Sequence, residues 1–179
     1  MKQSFVFSGS GGQGIMSAGI MLAHAAIDES KHATYLPEYG PEQRGGSAKC
    51  TVIISDGDIV SPLTKKCDNL ICMNEQAYRK FAGDLKPGGL LLINSSRVNN
   101  EEIRDDVRVL GVPVDDIALA LGNERVANIV LIGALMGATD IVSKDVFVRS
   151  LEEKFKAKKP EILEMNMIAL EKGIELAKK

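Results

Sequence analysis

"FVFSGSGGQGIMSAG", residues 5–19, decides the fold. An apolar run with aromatic and β-branched residues meets four glycines, Gly9, Gly11, Gly12 and Gly14. Small and apolar residues then resume at helical spacing. The pattern predicts a buried strand over 4–8, a turn, and a helix over 14–29 whose apolar face carries Ile15, Ala18, Ile20, Met21, Leu22, Ala25 and Ala26. Gly9, Gly11 and Gly14 satisfy G-x-G-x-x-G, a spacing used to bring backbone N–H groups and a helix N-terminus to a phosphate. Gly9 suits the tight turn, Gly11 and Gly12 the close approach of a ligand, and Gly14 close helix packing. The same spacing also serves plain strand-to-helix packing, so an anion site and a packing device are both open readings.

A dinucleotide reading needs an acidic residue closing the second strand, to hold the ribose hydroxyls. Glu38 stands 24 positions after Gly14. It runs directly into "YGPEQRGG", however, and not into a second crossover helix. Gln13 is also more polar than that position of the fingerprint requires.

Outward from the loop, strands are expected near 33–37, 48–55, 68–73, 90–95 and 107–112. Residues 37–48, "PEYGPEQRGGSA", read as a long polar loop, and "KPGG" at 86–89 as a turn. Short helices are expected over 74–82 and 114–121. Asn123 is placed to cap a helix over 124–138, Ser143 one reaching about 155, and Pro160 precedes a last helix over 161–178. The 124–138 helix is apolar almost all round, which marks burial on several sides. Gly133 and Gly137, one turn apart, admit a close backbone neighbour from the core or from another subunit. Strands alternate with helices, which predicts one α/β domain over 1–179 with a mostly parallel sheet.

The chain of 179 residues has a net charge of −2, 4% aromatic residues and no Trp, which leaves nucleic acid and anionic membranes without a recognisable surface. No signal peptide is read, and the longest apolar stretch, Val126 to Ala138, is too short to span a bilayer. A cytoplasmic protein is expected. Cys50, Cys67 and Cys72 form no C-x-x-C pair, so a disulfide framework, a zinc site or a cluster held by this chain alone is not expected. His24 and His32 lack catalytic company. Arg44, followed by Gly45 and Gly46, could fork onto a phosphate or carboxylate. Glu42 is more simply a solvated loop residue or a partner of Arg44. No general base is nominated.

Taken together, "GSGGQGIMSAG" (9–19), "PEYGPEQRGGSAKCTVIISD" (37–56) and "LICMNEQAYRKFAGDLKPGGLLLINSS" (70–96) resemble the gamma subunit of 2-oxoacid:ferredoxin oxidoreductases. "YGPEQRGG" is most similar to the 2-oxoglutarate branch, with the pyruvate, branched-chain 2-oxoacid and indolepyruvate branches as alternatives. The resemblance implies a three-layer α/β/α Rossmann-like unit, like domain III of pyruvate:ferredoxin oxidoreductase. It implies a subunit inactive alone, supporting coenzyme A-dependent oxidative decarboxylation to acyl-CoA and CO2 with reduction of ferredoxin. Thiamine diphosphate, Mg2+ and iron–sulfur clusters are then expected on alpha and beta partner subunits, with a ferredoxin-like delta subunit allowed. Coenzyme A would be met by Gly9, Gly11, Gly12, Gln13 and Gly14, and by Arg44, Gly45 and Gly46. An isolated chain could dimerise through surfaces its partners would cover. The reading from a different class is a stand-alone NAD(P)- or flavin-binding oxidoreductase.

Overall fold

The computed structural model describes residues 1–40, 46–99 and 104–178. The glycine loop follows the central strand, β1 (Lys2–Ser10), whose middle residues are buried on both faces. Such a strand must be sandwiched, and its side chains sort by parity. Phe5 and Phe7 enter the larger core, Val6 the smaller one.

The remaining strands are β2 (His32–Tyr39), β3 (Ser47–Ser55), β4 (Cys67–Cys72), β5 (Leu85–Asn94) and β6 (Arg108–Val112). They form one sheet in the order β2-β3-β1-β4-β5-β6. β1, β4, β5 and β6 are mutually parallel, whereas β3 runs antiparallel to both β1 and β2. The sheet is therefore mostly parallel, with one reversed strand inserted beside the centre.

The helices are α1 (Ile15–Asp28), α2 (Glu75–Phe81), α3 (Val114–Ala120), α4 (Ala127–Thr139), α5 (Lys144–Phe155) and α6 (Pro160–Ala177). The larger core draws on α1, α3, α4, α5 and α6, while α2 supplies Tyr78 to the smaller one. Helix α1 rides close on β3: a Cβ on Gly19 would fall 2.5 Å from Cys50 Sγ. Helices α4 and α6 touch through their backbones. A Cβ on Gly133 would meet the Leu170 carbonyl oxygen at 2.2 Å, and one on Gly173 the Val130 oxygen at 2.1 Å. The glycines of the apolar helix thus serve core packing within this chain.

Two expectations change. The loop expected over 37–48 gives way to strand at both ends: β2 continues through Pro37 to Tyr39, whose partner is Ala48, and β3 begins at Ser47. Pro37 is tolerated because β2 is an edge strand. The turn expected at 86–89 lies inside the span of β5, where Gly88 has φ +73° and the pairing with β4 shifts register between Cys67 and Asn69.

Candidate functional site: a glycine loop at the strand ends

The loop between β1 and α1 is built from glycines with distinct duties. Gly12 and Gly14 have φ of +95° and +75°, the left-handed region open to glycine at little cost. A Cβ on Gly14 would also crowd Asn128 Cβ of α4 at 3.0 Å, and one on Gly9 would meet Gln13 Oε1 at 2.6 Å. Nothing lies within 4 Å of where a Cβ would stand on Gly11 or Gly12, so this part of the backbone is open. The Gly11 N–H donates to the Gly46 carbonyl at 3.2 Å. The two glycine motifs, distant in sequence, therefore meet at one place. Arg44, Gly45 and Glu42 lie outside the described residues.

Gln13 points its amide into the protein. Its Oε1 accepts from the Ser10 N–H at 2.7 Å and from Asn74 Nδ2 at 2.9 Å, and its Nε2 donates to the Met73 carbonyl at 3.4 Å. The extra polarity at this position ties the loop to the end of β4.

Beside the loop lies a cavity of about 500 Å³ lined by Gly12, Gly14, Ser17, Arg97, Asp115 and Arg125, among others. Three N-termini converge on it. Two carry their own anions: Asp115 and Asp116 in the first turn of α3, and Glu124 in the 3-10 turn Glu124–Val126 that leads into α4. Helix α1 has no acidic residue in its first turn and no side-chain cap on Gly14. Its positive end and free N–H groups are left for an anion from outside. Asn94, fully buried at the end of β5, fixes the far wall. Its Nδ2 donates to Asp115 Oδ1 at 2.9 Å and its Oδ1 accepts from the Val114 N–H at 3.2 Å. Asp115 in turn pairs with Arg97. Arg97 and Arg125 carried no motif that could have nominated them, and Asn74 and Asn94 stand inside the 70–96 stretch without a role being assigned to either. Asn74 alone had a local signal, an Asn standing before a helix.

The cavity sits outside the carboxyl ends of β1, β4 and β5, where Gly12, Met73 and Arg97 of the following segments line it. That is the crevice where open α/β sheets receive ligands. A larger cleft of about 690 Å³ lies between α1 and α5, but helix residues alone line it, with neither strand ends nor a glycine loop.

The dinucleotide reading loses its second element. β3 separates β2 from β1, so Glu38 stands two strand spacings from the loop strand, about 9–10 Å. Its carboxylate is engaged by Lys49 Nζ at 2.9 Å. His24 and His32 lie on the surface. The three cysteines are buried and free, and burial pushes each thiol up to about 12. Among the described residues, no group of three His, Cys, Asp or Glu side chains could hold a metal, and no helix is long and apolar enough to cross a membrane.

A strand–glycine loop–helix unit at the central strand of a mostly parallel sheet, with helices on both faces, defines an α/β domain. Residues 4–176 match the family model of pyruvate ferredoxin/flavodoxin oxidoreductase, and the chain belongs to that family. It is 40% identical to the 2-oxoglutarate synthase subunit KorC of Methanocaldococcus jannaschii, over 99% of this chain and 95% of that one. It is 36% identical to the ketoisovalerate oxidoreductase subunit VorA of Methanothermobacter marburgensis, covering 96% of this chain and only 36% of that one. Among solved structures, a keto/oxoacid ferredoxin oxidoreductase gamma subunit from Geobacter sulfurreducens superposes with a TM-score of 0.82 at 35% identity, over 98% of both chains. The 2-oxoglutarate:ferredoxin oxidoreductase of Magnetococcus marinus, solved with 2-oxoglutarate, coenzyme A and succinyl-CoA bound, gives 0.92 at 26% identity over 99% of this chain and 31% of that one.

Proposed function

We propose that this chain is the gamma-type subunit of a 2-oxoglutarate:ferredoxin oxidoreductase, acting as one domain over its whole length, and that its glycine loop receives coenzyme A. The observation that carries the ligand assignment is the α1 N-terminus, the one N-terminus at the cavity without an anion of its own. Gly11 and Gly12 leave the approach free of side chains. A diphosphate fits this end, and coenzyme A bears both a diphosphate and a 3′-phosphate. Gly46, held to Gly11, lies at the same mouth, and Arg44, two positions before it in the sequence, is the guanidinium we assign to the ligand.

When bound, coenzyme A supplies the thiol that takes up the acyl group. The residues of this chain bind and orient: the α1 N–H groups and Gly14 hold the phosphates, Arg97 and Arg125 face the same cavity, and Asn94 and Asp115 set Arg97. Thiamine diphosphate, Mg2+ and the iron–sulfur clusters belong to alpha and beta partners, with ferredoxin as acceptor. The inert, buried cysteines favour that division. Val60, 97% exposed, and Leu63, 72% exposed, are large apolar side chains suited to contact with such partners.

The test is anaerobic purification of the tagged chain from its host. The eluate is assayed for coenzyme A-dependent dye reduction with 2-oxoglutarate, pyruvate, 2-oxoisovalerate and indolepyruvate. The proposal expects co-purifying larger subunits and preference for 2-oxoglutarate. Preference for another acid overturns the branch, and a partnerless chain overturns the assembly. Arg44→Ala in the intact complex should raise the apparent KM for coenzyme A. Unchanged KM and turnover would remove Arg44 from the site.

A further inference from the structure

The glycine loop has few means of its own to hold its shape. Gly11 and Gly12 make no side-chain contacts, and left-handed glycines are the most easily reorganised residues of any loop. One backbone bond, from the Gln13 N–H to the Ser10 carbonyl at 3.2 Å, turns it from within. From outside, the Gly46 carbonyl accepts from the Gly11 N–H and the Met73 carbonyl from Gln13 Nε2. A further contact comes from a side chain to which no ligand role had been given.

Asn74 follows β4 and caps α2. Its Oδ1 accepts from the Ala77 N–H at 2.8 Å, an ordinary N-cap bond. The other half of the same amide faces the loop. Nδ2 donates to Ser10 Oγ at 2.9 Å and to Gln13 Oε1 at 2.9 Å. Gln13 Oε1 simultaneously accepts the Ser10 N–H at 2.7 Å. Ser10 ends β1 and Gln13 immediately precedes the α1 cap, so these bonds bracket Gly11 and Gly12 at both ends.

We propose that Asn74 is a positioning residue for ligand binding: through Gln13 and Ser10 it holds the glycine loop in the conformation that presents the α1 N-terminus to the cavity. This rests on the coenzyme A reading of the loop. Neither Asn74 nor the Gln13 side chain needs to touch the ligand. The amide of Asn74 is used at both ends, oxygen to α2 and nitrogen to the loop, which couples a helix on one face of the sheet to a ligand site at the carboxyl ends of its central strands.

The two ends can be separated chemically. Asn74→Asp keeps an acceptor for Ala77 and is as good an N-cap as Asn. It removes the donor, and sets a carboxylate oxygen against Gln13 Oε1. Gln13 cannot repair this by flipping, because the Ser10 N–H needs an acceptor at the same position. Asn74→Ala loses both ends.

The experiment uses the assembled complex, with steady-state kinetics in coenzyme A, thermal unfolding, and amide hydrogen exchange at Ser10. Asn74→Asp should raise KM for coenzyme A about tenfold, leave kcat within about twofold, leave the melting temperature nearly unchanged, and speed Ser10 exchange. A tenfold change corresponds to about 1.4 kcal/mol of binding. Asn74→Ala should raise KM similarly and also lower the melting temperature. An unchanged KM in Asn74→Asp overturns the proposal, as does a fall in kcat at constant KM. If coenzyme A leaves the exchange of residues 11–17 in the wild-type complex untouched, the underlying ligand reading fails. If it protects them while Asn74→Asp behaves as wild type, only the positioning role fails.

Discussion

Gly173→Ala tests the packing that supports the site. A Cβ at this position would lie 2.1 Å from the Val130 carbonyl oxygen and 2.7 Å from the Ala134 nitrogen. Both are backbone atoms inside α4, so no side chain can swing away. Ordinary contact begins near 3.4 Å, so the helices must part by about 1.3 Å at this crossing. Overpacking on this scale costs about 3 kcal/mol. Replacing a mid-helix glycine by alanine returns about 1 kcal/mol of helix propensity. The net loss is about 2 kcal/mol, which for a chain of this size lowers Tm by roughly 4–8 °C. Thermal and urea unfolding measure it, with Gly83→Ala as control, since nothing lies within 4 Å of that Cβ position. The effect should also reach the ligand. Helix α4 carries Asn128, which packs against Gly14 of the loop, so parting α4 from α6 disturbs the wall of the cavity. A Gly173→Ala protein as stable as the Gly83→Ala control would refute the backbone-to-backbone contact of α4 and α6.

Gly14→Ala adds a Cβ to a residue at φ +75° and presses it against Asn128, so stability should fall by about 1–2 kcal/mol from the backbone alone, with weaker coenzyme A binding in the complex. Unfolding curves and a coenzyme A titration check both. At Asp68, burial is the largest influence and raises the carboxyl, but hydrogen bonds from Lys86 and Ser4 outweigh it and hold the group below its ordinary 3.8. Because the folded-state value is depressed, the stabilisation is present above pH of about 4 and is lost as pH falls through the folded value. Asp68→Asn should therefore flatten the acid limb of a stability–pH profile and leave less difference from wild type at low pH than at neutral pH. Cys50, Cys67 and Cys72, pushed up to about 12 by burial, should resist a thiol reagent at pH 8 and react together in denaturant. Rapid labelling of one of them in the folded protein would contradict the burial.

Local chemistry carried much of the fold. The β1–loop–α1 unit was legible because Phe5, Phe7 and the apolar spacing of α1 obey strand and helix periods directly, and the glycines mark the turn. The buried character of α4 followed from its lack of a polar face. What could not be read was long-range. Nothing in "SAKCTVIIS" states that β3 inserts, reversed, between β1 and β2, and that insertion is what moves Glu38 away from the loop. Pro37 reads as a strand breaker until the strand is known to be an edge. Within the site, Gly9 and Gly14 had recognisable duties, whereas Gln13, more polar than its position in the fingerprint requires, is turned inward by Asn74 and Met73. Asn94 and Arg97 become legible only when β5 and α3 lie side by side, since their partners are some twenty residues downstream.

The most direct test of the central claim is amide hydrogen exchange across residues 9–17 of the assembled complex, followed with and without saturating coenzyme A. The account predicts protection concentrated from Gly11 to Ser17, where the α1 N–H groups take up the phosphates. Full turnover with coenzyme A and no change in exchange over these residues would place the ligand elsewhere and contradict it.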